Sequence, residues 1–124
     1  MTVEALKEHG FSAVALPEPE REITGVYIGD LLSWVMGRAK SGDAWITIMS
    51  NINVLAVASL ADTACVIAAE DVEITEDIAK SAVEKGINIL SFSVRMMRLY
   101  CFMNCYEILL RFAPSFLSFP LRGR

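Results

Sequence analysis

Residues 44–70 read AWITIMSNINVLAVASLADTACVIAAE, with no charged residue between Asp43 and Asp62. A run of eighteen uncharged residues approaches the length of a membrane span, but Ser50, Asn51 and Asn53 fall near its middle, and unpaired amides are costly in hydrocarbon. The run divides more naturally at those polar residues. Ala44–Ile48 predicts a buried strand, Met49–Asn53 a turn, Val54–Leu60 a helix capped by Asn51 or Asn53, and Ala64–Ala68 a second buried strand. Strands that are apolar throughout, rather than alternating, belong to parallel sheets covered on both faces.

The flanks repeat the pattern. Upstream, Ile23–Ile28 (ITGVYI) is a strand that stops at Gly29-Asp30, and in the following LLSWVMGRA the residues Leu31, Leu32, Val35 and Met36 share a helical face. Ser41-Gly42-Asp43 turns the chain back. Nearer the start, Thr2–Glu8 has helical character with Thr2 as N-cap, Phe11–Leu16 alternates as a short strand, and Pro17-Glu18-Pro19-Glu20 is a stiff connector. Downstream, Thr75 caps a charged helix whose Ile78, Ala82 and Val83 face inward and whose C-cap is Gly86, before a strand at Ile87–Leu90. The expected fold is α/β: a single domain, with a mainly parallel sheet of four to five strands and flanking helices joined by right-handed crossovers.

The chain of 124 residues is long enough for one core. Hydrophobic residues make up 54% of it and the mean hydropathy is +0.44, which predicts apolar surface buried in a homodimer or against a protein partner. A net charge of −4 argues against nucleic acid, whose binding rests on clustered Lys and Arg. The N-terminus MTVEALKEHG lacks the basic and apolar regions of a signal peptide, and three cysteines without paired spacing fit a reducing compartment. The expectation is a cytoplasmic protein with no membrane segment.

Charge breaks sharply along the chain. Residues 1–91 hold fourteen acidic and six basic residues, net −8, whereas residues 92–124 hold Glu107 against Arg95, Arg98, Arg111, Arg122 and Arg124, net +4. Residues 94–112, VRMMRLYCFMNCYEILLRF, form a helix-length stretch that is apolar nearly all round, and APSFLSFPLRGR ends the sequence with two prolines and no clear element. The expected division is therefore an α/β domain over 1–91 and a divergent C-terminal helix with an irregular tail over 92–124. An altered reading frame after about Phe92 is the alternative origin of that segment.

The run VYIGDLLSWVMGRAKSGDAWITIMSNINVLAVASLADTACVIAAE (26–70), followed by a charged helix and GINILS (86–91), resembles the DRTGG domain family, and more narrowly its small stand-alone members in anaerobic bacteria. The family is similar to the N-terminal domain of HPr kinase/phosphorylase and also occurs beside CBS domains in regulatory pyrophosphatases and near phosphotransacetylase domains. The resemblance thus implies a regulatory or dimerising module whose chemistry is carried by other domains. The Asp-Arg pair of the family motif would fall in the Ile48–Asn51 loop, here Ile-Met-Ser-Asn, and its Thr-Gly-Gly at Ala68-Ala69-Glu70, so no functional residue carries over at either place. The Tyr106-Glu107 pair comes later than the resemblance leads one to expect.

Open parallel sheets bind ligands outside the carboxyl ends of their strands. Those ends supply Asp30, Ser33, Ser50, Asn51 and Asn53 beside Trp34, a candidate site for a small polar or nucleotide-like ligand. The same residue types also serve as helix caps and turn formers, with Asp30 capping the next helix. No phosphate-binding glycine motif is present, which disfavours a kinase or ATPase. Cys101 and Cys105 lie one helical turn apart but lack the further ligands a structural zinc needs, so no metal and no cofactor is expected. Cys65 reads as a core residue. His9 has no evident orienting group, and the lone carboxylates Asp30 and Glu70 are too little for an enzyme. The sequence leads to a non-enzymatic regulatory or dimerisation module, with a nucleotide-like ligand sensor as the alternative.

Overall fold

The computed structural model describes residues 1–92; the expected C-terminal helix and tail, with Cys101, Cys105, Tyr106 and Glu107, lie outside the described residues. A 3₁₀ segment, Glu4–His9, leads into β1 (Ser12–Ala15). Then come β2 (Gly25–Ile28), α1 (Leu32–Arg38), β3 (Asp43–Thr47), α2 (Asn53–Ala61), β4 (Cys65–Ala68), α3 (Glu76–Lys85) and β5 (Ile89–Ser91). The sheet order is β1-β5-β4-β3-β2. The β2–β3, β3–β4 and β4–β5 pairs are parallel, and β1 closes the far edge antiparallel to β5. The α/β architecture expected from the sequence is thus present, with five strands.

Strand alternation sorts the core into two layers. Trp45, Val66 and Ile89 point to one face, where Val35 of α1, Val54, Leu55 and Ala58 of α2, and Ala82 of α3 pack against them. Ala44, Cys65, Ile67 and Leu90 point to the other, covered by Val3, Leu6, Phe11 and Ile23 of the N-terminal segment. All three helices lie on one face because successive parallel strands step across the sheet in one direction with crossovers of one hand. Burial of the Cys65 thiol in the second layer pushes its pKa up to about 12, against a weaker downward pull from Arg21.

Local chemistry explains most boundaries. Thr75 accepts a hydrogen bond from Ile78 N, and Gly86 ends α3 in the left-handed conformation at φ 71°. Asp62 does the same for α2 at φ 56°, a conformation that Asp tolerates. Arg21 forms an ion pair with Asp62 at 2.8 Å and donates to its carbonyl, and Ser41 Oγ donates to its carboxylate. The Ser41 hydrogen bond, followed by that of Arg21, holds the Asp62 carboxyl below the usual range. Asn88, 2% exposed, accepts from Glu18 N at 2.9 Å and donates to Glu18 O at 2.7 Å and Ala64 O at 3.0 Å, fastening the proline-flanked connector to the sheet.

Three local expectations are corrected. The first segment is 3₁₀, with Val3 rather than Thr2 at the N-cap position, although Thr2 Oγ1 accepts from Ala5 N at 3.4 Å. Val83 of α3 is exposed rather than facing inward, because α3 lies at the rim and buries Ala82 alone fully. Coverage on both faces holds for β4 but not for β2, whose second face is open. Among the described residues no helix is long and apolar enough to cross a membrane.

Candidate functional site

The carboxyl ends of β2 and β3 are joined by two side chains of β3. Trp45, fully buried, donates from Nε1 to Gly29 O at 2.8 Å. Two residues on, and therefore on the same face of the sheet, buried Thr47 donates from Oγ1 to Asp30 Oδ1 at 2.9 Å. The same Asp30 oxygen accepts from Ile48 N at 2.9 Å, and Thr47 Oγ1 accepts from Met49 N at 3.1 Å. Asp30 does not cap α1: the N-cap position is Leu31, without a side-chain cap bond. Its carboxylate instead takes up the amide that β3 releases where its ladder ends, as buried or turn amides require.

Asn51 is likewise engaged with backbone. Its Oδ1 accepts from Asn53 N at 3.0 Å, an Asx-type turn that opens α2, whose N-cap position is Ile52. Asn53 is the first helical residue and is exposed, Ser50 is half-buried, and Ser33 is exposed in the first turn of α1. Trp34 is 53% exposed, and the Arg38 guanidinium one turn on lies 3.9 Å over its ring. Asp30, Ser50 and Asn51 thus lie in the loops that follow β2 and β3, and Ser33, Trp34 and Asn53 in the first turns of the helices those loops lead into. Asp30 Oδ1 there accepts from Thr47 Oγ1 and Ile48 N, and Asn51 Oδ1 from Asn53 N.

The surface around this junction is apolar. Ile28, Leu31, Ile48 and Ile52 flank the Asp30–Ile48 bond and are all exposed, as is Met36 on α1. Glu70 lies two residues beyond β4, and Asp30 two residues beyond β2, with β3 between the two strands. Glu70 and Asp71 are both left-handed, at φ 60° and 54°; nothing in the sequence marks Glu70 for that conformation. Among the described residues no group of three His, Cys, Asp or Glu side chains is placed to hold a metal. Sequence reasoning also missed Trp45 and Thr47 as the groups that position the junction; the alternation of β3 puts both on one face and was the available signal.

A mainly parallel sheet with three helices on one face and its loops gathered at the strand carboxyl ends defines an α/β domain of the open-sheet type. The fold is similar to that in a crystal structure of the CBS and DRTGG domains of the regulatory region of Clostridium perfringens pyrophosphatase, determined with its activator diadenosine tetraphosphate, at a TM-score of 0.55 and 14% identity. The match covers 72% of this chain and 39% of that one. No model of a known protein family and no curated protein matches the sequence.

Proposed function

We propose that this chain is a non-enzymatic regulatory module of the DRTGG type that self-associates as a homodimer. One observation carries the reading: among the described residues β2 is an unpaired sheet edge beside an apolar helix flank. Among the described residues β2 pairs with β3 alone, in unbroken register from Gly25↔Asp43 to Ile28↔Ile46. Its sequence, Gly-Val-Tyr-Ile, holds no charge and no proline. The opposite edge, β1, is blunted by a register shift between Ala13 and Ala15 and by Pro17 beyond it. Natural sheets protect free edges with charges, prolines or bulges unless the edge is used. Leu31, 58% exposed, and Trp34 extend that edge along α1, and exposed Trp is enriched at interface centres.

The Asp30 carboxylate supports the non-enzymatic part, since it is spent on strand-end hydrogen bonds. Sedimentation of the full chain and of a Leu31→Asp/Trp34→Asp variant tests the reading. The wild type should sediment as a dimer and the variant as a monomer with an unchanged circular dichroism spectrum. A variant that remains dimeric would remove this edge from the interface.

A second reading, a ligand sensor, is favoured by the exposed Trp34–Arg38 stack on α1, a flat face with a cation beside it that suits a nucleotide base and phosphate. The pyrophosphatase region of similar fold is regulatory and holds a dinucleotide activator. Ser33, Ser50 and Asn53 would then supply polar contacts, while Asp30 and Asn51 shape the loops. Thermal-shift measurements over a panel of mono- and dinucleotides test it: a rise in Tm that is lost in Trp34→Ala supports sensing, and a flat response across the panel refutes it.

A further inference from the structure

Which backbone groups β2 turns outward follows from its ladder. Gly29 N donates to Ile46 O at 3.1 Å, so Gly29 faces β3. Residues along a strand alternate between facing one neighbour and the other, so Gly25 and Tyr27 also direct their N–H and C=O groups to β3, while Val26 and Ile28 direct theirs away from it. Just before the strand, Thr24 N is already spent on Gly42 O at 2.9 Å. Among the described residues the edge thus offers the N–H and C=O groups of Val26 and Ile28, placed symmetrically about Tyr27. Side chains alternate as well: Tyr27 packs on the helix face with the cluster of Val35 and Trp45, and Val26 and Ile28 share the opposite face with their register partners Ala44 and Ile46.

A strand that pairs with its own copy across a two-fold axis runs antiparallel to it and brings each side chain close to itself. Charge on such an edge would meet like charge, and residues 23–29, ITGVYIG, carry none. With the axis at Tyr27, Val26 stands opposite the second copy's Ile28 and Ile28 opposite its Val26, so that every outward group of the strand is paired. An axis at Val26 would call on Thr24, whose N–H is taken, and an axis at Ile28 would call on Asp30, beyond the strand. The helices agree with this placement. A crossover helix lies over the strands it joins, which puts α1 about half a strand spacing inside β2 and the two copies of α1 about 10 Å apart across the axis, the usual distance for packed helices. Leu31, Trp34 and Met36 are the large apolar side chains that α1 and its entry leave exposed for that contact.

We infer that two copies pair through β2 in antiparallel register centred on Tyr27, joining two sheets of five strands into one continuous sheet with the two copies of α1 packed across the axis. This pairing rests on the self-association proposed above and fixes its register.

Disulfide trapping in the full chain tests the register. Tyr27 would face its own copy in a non-hydrogen-bonded pair with Cα atoms about 4.5 Å apart, which a disulfide can span. The two copies of Val26 would lie about 9 Å apart, out of reach. Under a thiol oxidant such as diamide, Tyr27→Cys should link through position 27 about tenfold or more faster than Val26→Cys links through position 26. Mass spectrometry of the linked peptides keeps the native cysteines out of the count. Ile28→Pro, which removes an outward N–H and leaves the ladder to β3 intact, should be folded by circular dichroism and monomeric by sedimentation. A monomeric wild type would remove both this pairing and the self-association beneath it. A wild-type dimer in which position 27 links no faster than position 26, or a dimer still formed by Ile28→Pro, would overturn this pairing alone and leave self-association standing.

Discussion

Asp30 and Thr47 lock the ends of two neighbouring strands together, Thr47 Oγ1 donating to Asp30 Oδ1 at 2.9 Å while Ile48 N donates to the same oxygen. The carboxylate is therefore a structural acceptor at the place where open sheets hold ligands. Asp30→Ala should cost about 1–2 kcal/mol, since it strands the buried Thr47 hydroxyl and the strand-end amide of Ile48. Asp30→Asn, which keeps an acceptor there, should cost about 0.5 kcal/mol or less. Urea unfolding monitored by Trp45 fluorescence checks both, and equal losses for the two variants would show that charge rather than the hydrogen bond matters.

Among the described residues Asn88 is the buried amide that ties the connector, the start of β4 and the start of β5 together. Asn88→Ala would leave Glu18 N, Glu18 O and Ala64 O without their partner, and a loss of about 2–4 kcal/mol is expected from the partly buried groups left unpaired. Proteolytic cutting in the Pro17–Glu20 connector should rise in parallel, because that loop is held to the sheet by this residue.

At the end of α2, Asp62 combines left-handed backbone with side-chain bonds to Ser41 and Arg21. Asp62→Ala loses both features and Asp62→Gly only the bonds, so the glycine variant should be the more stable by about 1 kcal/mol. The Asp62 carboxyl is held below its usual pKa of 3.8, so its stabilisation is present above that value and fades as pH falls further. Exposure to solvent keeps the contribution small.

The Cys65 thiol, raised by burial from 9.0 to about 12, stays protonated in the folded protein. The unfolded chain releases that proton first, so stability should be unaffected below about pH 8.5 and fall progressively as pH rises from there toward 12. Cys65→Ala should flatten that alkaline limb. In the native protein the thiol should react with a bulky disulfide reagent only as fast as the sheet opens.

Much of this fold is written in residue type. The polar break at Ser50–Asn53 divides the uncharged run into β3, its loop and α2, and Thr75 and Gly86 bound α3 because capping is a local interaction. What escaped the sequence is set at a distance. The role of Asp30 depends on Thr47, seventeen residues away, and a capping residue and a strand-end staple look identical until the strands are paired. The antiparallel place of β1 beside β5 and the fixing of Glu18 by Asn88 depend on contacts across seventy residues or more, which no local pattern encodes. Trp34 and Trp45 illustrate both cases: strand position made Trp45 a core residue, while the exposure of Trp34 followed from which side of α1 meets the sheet.

The proposed self-association rests on the β2 edge and the Leu31–Trp34 flank. Sedimentation equilibrium of the full chain across the micromolar range tests it most directly. A dimer of twice the 13.7 kDa chain mass, dissociating only on dilution, is expected; a single monomeric species throughout that range would contradict self-association.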